Sequence, residues 1–346
     1  LCLPWLLVGL FLVVFVRIPP RMPTPLTSEV DHLPLVSIVV PARNEEANLP
    51  RLLESLGALA YPRFEVLVVD DESTDGTGDL VLSADAGNAE DIRLISGQPL
   101  PPGWFGKPWA CHQGAGEARG SLLLFTDADT VHEPHLLAQA VACLEAEEAD
   151  AVTLIGRQVM ESFWEQLLQP QFFMLIAARF PRAGSPKRPK HWREAIANGQ
   201  YLLFRREAYL KFGGHEVVKG EVVEDMRIAQ LLVRGGWKLV VREGLGLRTR
   251  MYRSLGGLVE GWSKNFSTGV LQTSPGFLRP VALPLSLVIG TALWLLPPGV
   301  FAWSLATGTG GVAVQFGAIT TGFGVVDWRL GSWVMRGNGL SLIHIS

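Results

Sequence analysis

From Leu35 onward, short strand-like runs alternate with helix-like stretches, and several of the strand-like runs end in acidic residues. Val36 to Val40 is a mostly β-branched run, of the kind that is buried on both faces when it forms a strand. Asn48 to Leu59 sets Leu49, Leu52, Leu53 and Leu56 on one helical face. Glu65 to Val69 reads as a second strand, Asp79 onward as a weak helix and Ile92 to Ile95 as a third strand. Gly114 to Ala118 reads as a small-residue helix and Leu122 to Phe125 as a fourth strand. This order predicts an α/β fold with a doubly wound, mainly parallel sheet. On such sheets ligands sit beyond the carboxyl ends of the strands, and the acidic clusters fall there. The chain has no internal repeat.

The first strand runs into Pro41-Ala42-Arg43-Asn44-Glu45-Glu46. It contains no glycine, which excludes the phosphate loops of dinucleotide-binding and P-loop enzymes. It equally lacks the basic, Gly-rich loop of a nucleotidyltransferase. The second strand ends in Asp70-Asp71-Glu72-Ser73-Thr74-Asp75-Gly76-Thr77. Asp70 or Asp71 can accept hydrogen bonds from a uracil N–H or ribose hydroxyls, while Ser73 and Asp75 suit a turn or a helix cap. The fourth strand ends in Thr126-Asp127-Ala128-Asp129. Residues two apart on an extended chain point the same way, so Asp127 and Asp129 converge. Two convergent carboxylates repel unless something positive lies between them, and a hard divalent cation completed by a diphosphate would serve. A solvated acidic turn is the plainer alternative. Further on, Glu224 and Asp225 open an amphipathic helix carrying Ile228, Leu231 and Leu232. The helix dipole favours a charged carboxylate there, which can act as general base toward an acceptor hydroxyl or simply cap the helix.

Of all residues, 48% are hydrophobic and only 18% charged, and the apolar excess is concentrated at the two ends. Leu1 to Val16 is an almost unbroken apolar run followed by Arg17, Pro19, Pro20 and Arg21, which predicts a transmembrane anchor over residues 1–18. Residues 19–34 then form a linker to a catalytic domain at 35–275. Apolar blocks within 281–330, followed by Arg329 and Arg336, predict a transmembrane hairpin. The positive-inside rule turns the catalytic domain to the cytoplasm, as in a multi-pass inner-membrane protein. Residues 338–346 continue no pattern and read as a non-native tail. Ser162 to Phe180 is apolar and aromatic-rich, and fits either an interfacial segment or a buried core helix. Cys2, Cys111 and Cys143 show neither zinc spacing nor a disulfide framework. A net charge of -3 gives no basis for binding nucleic acid.

Taken in order, Pro41-x-x-Asn44-Glu45, Asp70-Asp71-x-Ser73-x-Asp75, Asp127-x-Asp129 and Glu224-Asp225 resemble the motifs of family 2 glycosyltransferases. The resemblance covers roughly Leu35 to Ser267. Pro102-Gly103-Trp104-x-Gly106-Lys107, Ala197-Asn198-Gly199-Gln200, Gly213-Gly214-His215 and Gly261-Trp262-Ser263-Lys264-Asn265 resemble the branch that includes carotenoid-type (diaponeurosporenoate) and hopanoid-associated enzymes. The resemblance implies a GT-A type nucleotide-binding fold, a UDP-sugar donor, Mg2+ or Mn2+ and inversion at the anomeric carbon, while tethering of the catalytic domain at both ends implies a membrane lipid acceptor. It implies that Pro41, Ala42, Arg43, Glu45, Asp70, Asp71, Lys107 and Asp127 bind the donor and that Asp129 and Asp127 hold the metal. Asp225 becomes the base, with Glu224 beside it, and Gly199, Gln200 and Trp262 lie on the acceptor or donor side. Processive polysaccharide synthases carry Gln-x-x-Arg-Trp after the base, whereas Arg250-Met251-Tyr252-Arg253 stands here and Trp262 comes later. That departure argues against a processive reaction. A non-catalytic nucleotide-sugar-binding membrane protein is the remaining alternative, but it has no use for Asp127, Asp129 and Asp225 together.

Overall fold

In the computed structural model, the described residues are 19–23, 33–182 and 191–273, with scattered positions between 276 and 308. They fall into two compact units. One draws on residues 18–159 and 183–251, the other on 160–182 and positions from 252 onward.

The first unit holds an eight-stranded sheet in the order β3-β2-β1-β4-β7-β6-β8-β5. Its strands are β1 (Val36–Ala42), β2 (Phe64–Asp70), β3 (Asp91–Ser96), β4 (Leu122–Phe125), β5 (Thr130–His132), β6 (Ala151–Gln158), β7 (Leu202–Arg205) and β8 (Leu239–Thr249). The β3-β2-β1-β4 half is parallel throughout, as the strand-helix alternation predicts. Beyond it the sheet is mixed. β7 runs antiparallel to both β4 and β6, and β5 antiparallel to β8, while β6 and β8 are parallel.

Side-chain alternation along the strands divides the core. Val36, Ile38, Val40, Val66, Val68, Leu122 and Leu124 pack on one face with α1 (Leu49–Gly57) and α4 (Leu136–Ala146). Val39, Leu67, Val69, Leu123 and Phe125 pack on the other with α3 (Gly106–Glu117) and α7 (Glu224–Arg234). On α1, Leu49, Leu52, Leu53 and Leu56 are all buried, each worth roughly 1.5–3 kcal/mol of apolar burial. α2 (Thr77–Leu82) and α6 (Arg206–Phe212) are short connectors. Only the end of α3 is visible in the hydrophobic pattern, because this helix packs through small residues. A Cβ on Gly114 would stand 2.4 Å from Val39 Cγ1, so the helix backbone sits directly on the sheet.

Topology brings four segments to one edge. β1, β2 and β4 are mutually parallel, so Ala42, Asp70 and Thr126 emerge on the same side. β7 enters from that side, with Leu202 opposite Phe125, and so delivers the Asn198-Gly199-Gln200 turn to the acidic strand ends.

In the second unit α5 (Phe163–Arg179) starts at a capping box formed by Ser162 and Glu165, and packs against α8 (Leu255–Thr273). The expectation of a multi-pass inner-membrane protein with a cytoplasmic catalytic domain does not hold. No helix among the described residues is long and apolar enough to cross a membrane. α5 carries Glu165, Gln166, Gln169 and Pro170, and α8 carries Gly256, Gly257, Glu260 and Lys264. Neither offers the ~20 consecutive apolar residues that a span needs. The expected anchor at 1–18, the tail at 338–346 and most of the hairpin at 281–330 lie outside the described residues.

Candidate active site

The loops after β1 and β2 are tied to each other. Asn44 N–H donates to Ser73 Oγ at 2.9 Å, Glu45 N–H to Thr77 Oγ1 at 2.9 Å and Thr74 N–H to Asn44 Oδ1 at 2.8 Å. Asp75 accepts from the Thr77 hydroxyl and backbone, so Ser73 and Asp75 serve the turn itself. Asp70 does too, since its Oδ1 accepts from Ser73 N–H at 3.0 Å. Asp71 has a different setting. It is 7% exposed, its backbone N–H is held by the Ala42 carbonyl at 2.8 Å, and Arg43 lies 3.7 Å from its carboxylate. Burial raises its pKa, against the pull of Arg43. A Cβ on Gly106 would come within 2.5 Å of Asp71 Oδ2, so the first turn of α3 meets this carboxylate through bare backbone.

Lys107 follows Gly106 and stands at the centre of the cleft. Its Nζ lies 2.7 Å from Asp127 Oδ1 and 2.9 Å from Glu224 Oε1. Burial works against its charge, but Asp127, Glu224 and Asp225 outweigh that and hold its pKa well above the usual lysine value. Pro41, Cys111, Phe125, Thr126, Gly199, His215 and Ile228 line the same cleft as Lys107, Asp127, Glu224 and Asp225. His215 is buried, accepts or donates at the Tyr209 hydroxyl at 2.8 Å, and is driven down to a pKa of about 3 chiefly by burial.

Glu224 and Asp225 occupy the first turn of α7, as the amphipathic pattern predicts. The carboxylate of Asp225 is held at both oxygens. Gly199 N–H donates to Oδ2 at 2.7 Å and Met226 N–H to Oδ1 at 2.6 Å. Burial and the neighbouring Glu224 still push its pKa up to about 6, against Lys107 and the two N–H groups. A Cβ on Gly199 would stand 3.0 Å from Lys107 Nζ and 3.2 Å from Asp225 Oδ2, which explains the glycine.

Asp129 differs from its neighbours in having a fully buried oxygen left bare. Its Oδ1 is buried with no hydrogen-bond partner. Burial, then the charges of Asp127 and Glu45, push its pKa up to about 8. Glu45 itself accepts from Asn48 Nδ2 at 2.8 Å. An unpartnered, oxygen-only acid beside a second carboxylate fits a hard divalent cation. No group of three or more His, Cys, Asp or Glu side chains among the described residues is arranged to hold a metal alone. Two carboxylates would therefore form a partial shell.

Gln200 belongs to the first unit and Trp262 to the second. Gln200 is 6% exposed, and Thr249 Oγ1 and Asn198 Nδ2 donate to its Oε1 at 3.2 and 3.3 Å. Trp262 belongs to the second unit, stacked on Phe172 at 4.4 Å and edge-on to Phe173 at 5.4 Å. Sequence reasoning missed the buried polar set beneath the acid pair, Thr126, Thr130 and His132. Its only trace in the sequence is polar residues flanking Asp127 and Asp129 just after an apolar strand.

The family model described as Glycosyl transferase family 2 matches residues 37–213. The chain is 25% identical over 251 residues to the 4,4'-diaponeurosporenoate glycosyltransferase of Staphylococcus haemolyticus (strain JCSC1435), covering 72% of this chain and 65% of that protein. Identity to the enzyme of the same name from Staphylococcus aureus (strain USA300) is 27% over 257 residues, again 72% and 65%. The match thus spans just under two thirds of the length of these curated relatives. Among solved structures, the mannosyltransferase PcManGT from Pyrobaculum calidifontis, in complex with GDP-Man and Mn2+, superposes with a TM-score of 0.54 at 18% identity, covering 97% of this chain and 91% of that one. Glucosyl-3-phosphoglycerate synthase from Mycobacterium tuberculosis, in complex with Mn2+ and UDP-glucose, gives 0.50 at 20% identity, covering 74% and 87%. At these identities the two structures speak for the fold alone.

Proposed function

The chain belongs to glycosyl transferase family 2, and from that premise we propose that it is an inverting, non-processive hexosyltransferase. Its donor is a UDP-sugar and its acceptor a lipid of the carotenoid, hopanoid or other polyisoprenoid type. One observation carries the reading: a carboxylate aimed by two backbone N–H groups, Asp225, shares a cleft and a lysine with Asp127 at the β4 strand end. The names of the curated relatives support the lipid class of the acceptor.

In this mechanism Asp71 and Arg43 hold the nucleotide, with Pro41 and Lys107 lining its path to Asp127. Asp127 and Asp129 would hold Mg2+ or Mn2+, which when bound supplies positive charge beside the departing diphosphate. Asp225 takes the proton from the acceptor oxygen as that oxygen attacks the anomeric carbon from the face opposite the diphosphate. The attack forms the new glycosidic bond, breaks the bond to the diphosphate and inverts the centre. A carboxylate of pKa about 6 is ionised at neutral pH and basic enough to receive that proton. Glu224 holds Lys107 in place and is not itself the base.

Asp225→Asn tests this directly. The amide keeps the shape but not the proton acceptor, so turnover should fall by roughly 10²–10⁴-fold, while UDP-glucose binding stays near normal. The same assay, incubation of the full chain with labelled UDP-glucose and a bacterial lipid extract followed by mass spectrometry, reads the acceptor class. Near-normal turnover in Asp225→Asn would dismiss the assignment of the base, and label appearing only as free sugar or polymer would dismiss the lipid acceptor.

A further inference from the structure

Behind the acid pair lies a buried polar cluster that the reaction does not itself use. Thr126 and Thr130 are each 1% exposed and His132 3%. Thr126 Oγ1 donates to the Gln200 carbonyl at 2.7 Å, and Thr130 Oγ1 to the Asp127 carbonyl at 2.8 Å. A hydroxyl has one proton to give, so both are spent. The two oxygens, 3.1 Å apart, can then only accept. His132 Nε2 stands 3.0 Å from one and 3.1 Å from the other. Its N–H is shared between them, which assigns the Nε2–H tautomer. Burial pushes the ring to a pKa of about 3, so it stays neutral.

The two outward ends of this cluster matter. Thr130 holds the backbone of Asp127, in the donor-side turn. Thr126 holds the carbonyl of Gln200, and the residue before it, Gly199, donates the N–H that grips Asp225 Oδ2. A short chain of hydrogen bonds therefore connects the donor-side acids to the carboxylate on α7.

We propose that Thr126 is a positioning residue, locking the Gly199-Gln200 turn to the Asp127 turn so that Asp225 is held in register with the donor. The inference rests on the reading of Asp225 as base. Thr126 touches no reacting atom and acts through Asp225. Thr126→Val is nearly isosteric, yet it leaves the Gln200 carbonyl without its donor and takes one acceptor from His132. The turn is then free to shift and Asp225 loses its aim, while Asp71 and Arg43 are untouched.

The test is a double-mutant cycle on the full chain, read as UDP release from UDP-glucose with Mn2+ in the presence of the bacterial lipid extract that supplies the acceptor hydroxyl. Thr126→Val should lower kcat roughly 10–100-fold, the scale of a small misplacement of a catalytic group. Donor KM should stay within about twofold, and Thr126→Ser, which keeps the hydroxyl, should restore most of kcat. In the Asp225→Asn background the same change should cost less than about twofold, because the group it positions is already disabled. If Thr126→Val does not fold, Thr126→Ala carries the same expectations. Losses that multiply in the double variant, a rise in donor KM in place of a fall in kcat, or no rescue by serine would each overturn the proposal. Full activity in Asp225→Asn alone would instead overturn the base assignment, and the proposal with it.

Discussion

The unpartnered Oδ1 of Asp129 leads to a stability prediction whose sign is unusual for an acid. In the fold its pKa is raised from 3.8 to about 8 by burial and by Asp127 and Glu45. The folded chain therefore holds a proton there more tightly than the unfolded chain. Stability from this site is full near the unfolded value and is lost as pH rises through the window from 3.8 toward 8. At roughly 1.4 kcal/mol per tenfold change in proton affinity, the loss by pH 7 is bounded at about 4 kcal/mol. The Asp129 residue is only half-buried, so solvent screening lowers this, and ~1–2 kcal/mol is the working figure. Asp129→Asn abolishes the titration and lets an amide donate to its acidic neighbours. Without divalent cation, the variant should melt about 2–6 °C above the parent at pH 7–8, with the gap closing toward pH 5. Differential scanning fluorimetry in EDTA across that range measures it. With Mn2+ and UDP added, the parent should gain stability and the variant should not. Parallel pH curves for the two proteins in EDTA would refute the account of Asp129 as an uncompensated acid.

Two further outcomes follow from the same cleft. Turnover should fall with a single protonation as pH drops through about 6, because Asp225 must be ionised to accept a proton; a kcat profile that stays flat from about pH 7 to about pH 5 would remove Asp225 as base. Gly106→Ala places a Cβ 2.5 Å from Asp71 Oδ2 and should displace that carboxylate. UDP binding by calorimetry should weaken about tenfold, or ~1.4 kcal/mol, and unchanged affinity would detach Asp71 from the nucleotide.

Most of the parallel half of the sheet was legible because β1, β2 and β4 are buried on both faces and written mostly in Val, Ile, Leu and Phe. The other half was not. β7 has four residues, and its partners β4 and β6 lie far away in sequence, so no local turn announces the pairing. β8 carries Arg242, Glu243, Gly244 and Gly246 within its span, which hides a strand from any apolar pattern. Among the described residues no helix has the length and apolarity of a membrane span, and the apolar terminal runs that suggested spans lie largely outside them. At the site, the acids were readable one motif at a time because strand ends and helix starts are local features. The hydrogen bonds that Gln200 accepts from Thr249 and Asn198 inside the fold were not legible, because those partners meet it only after folding.

What no local pattern contains is the balance of charge that assembly creates. Glu45, Asp127, Asp129, Glu224 and Asp225 come from three separate segments and act on one another around Lys107, which a fourth supplies. Buried acids kept for structure are normally paired out. Glu65 shows that arrangement in the same sheet: fully buried, it is met by Ser37, Arg93 and Arg119, and its pKa is lowered, since those partners more than offset its burial. The cleft acids are left in excess instead, and two of them have raised pKa values. Such an excess destabilises the empty fold and is relieved when positive charge arrives. Of the two clusters, only the one at the carboxyl ends of the strands is built incomplete. That asymmetry, more than any single motif, separates a site for a charged ligand from a solvated acidic turn.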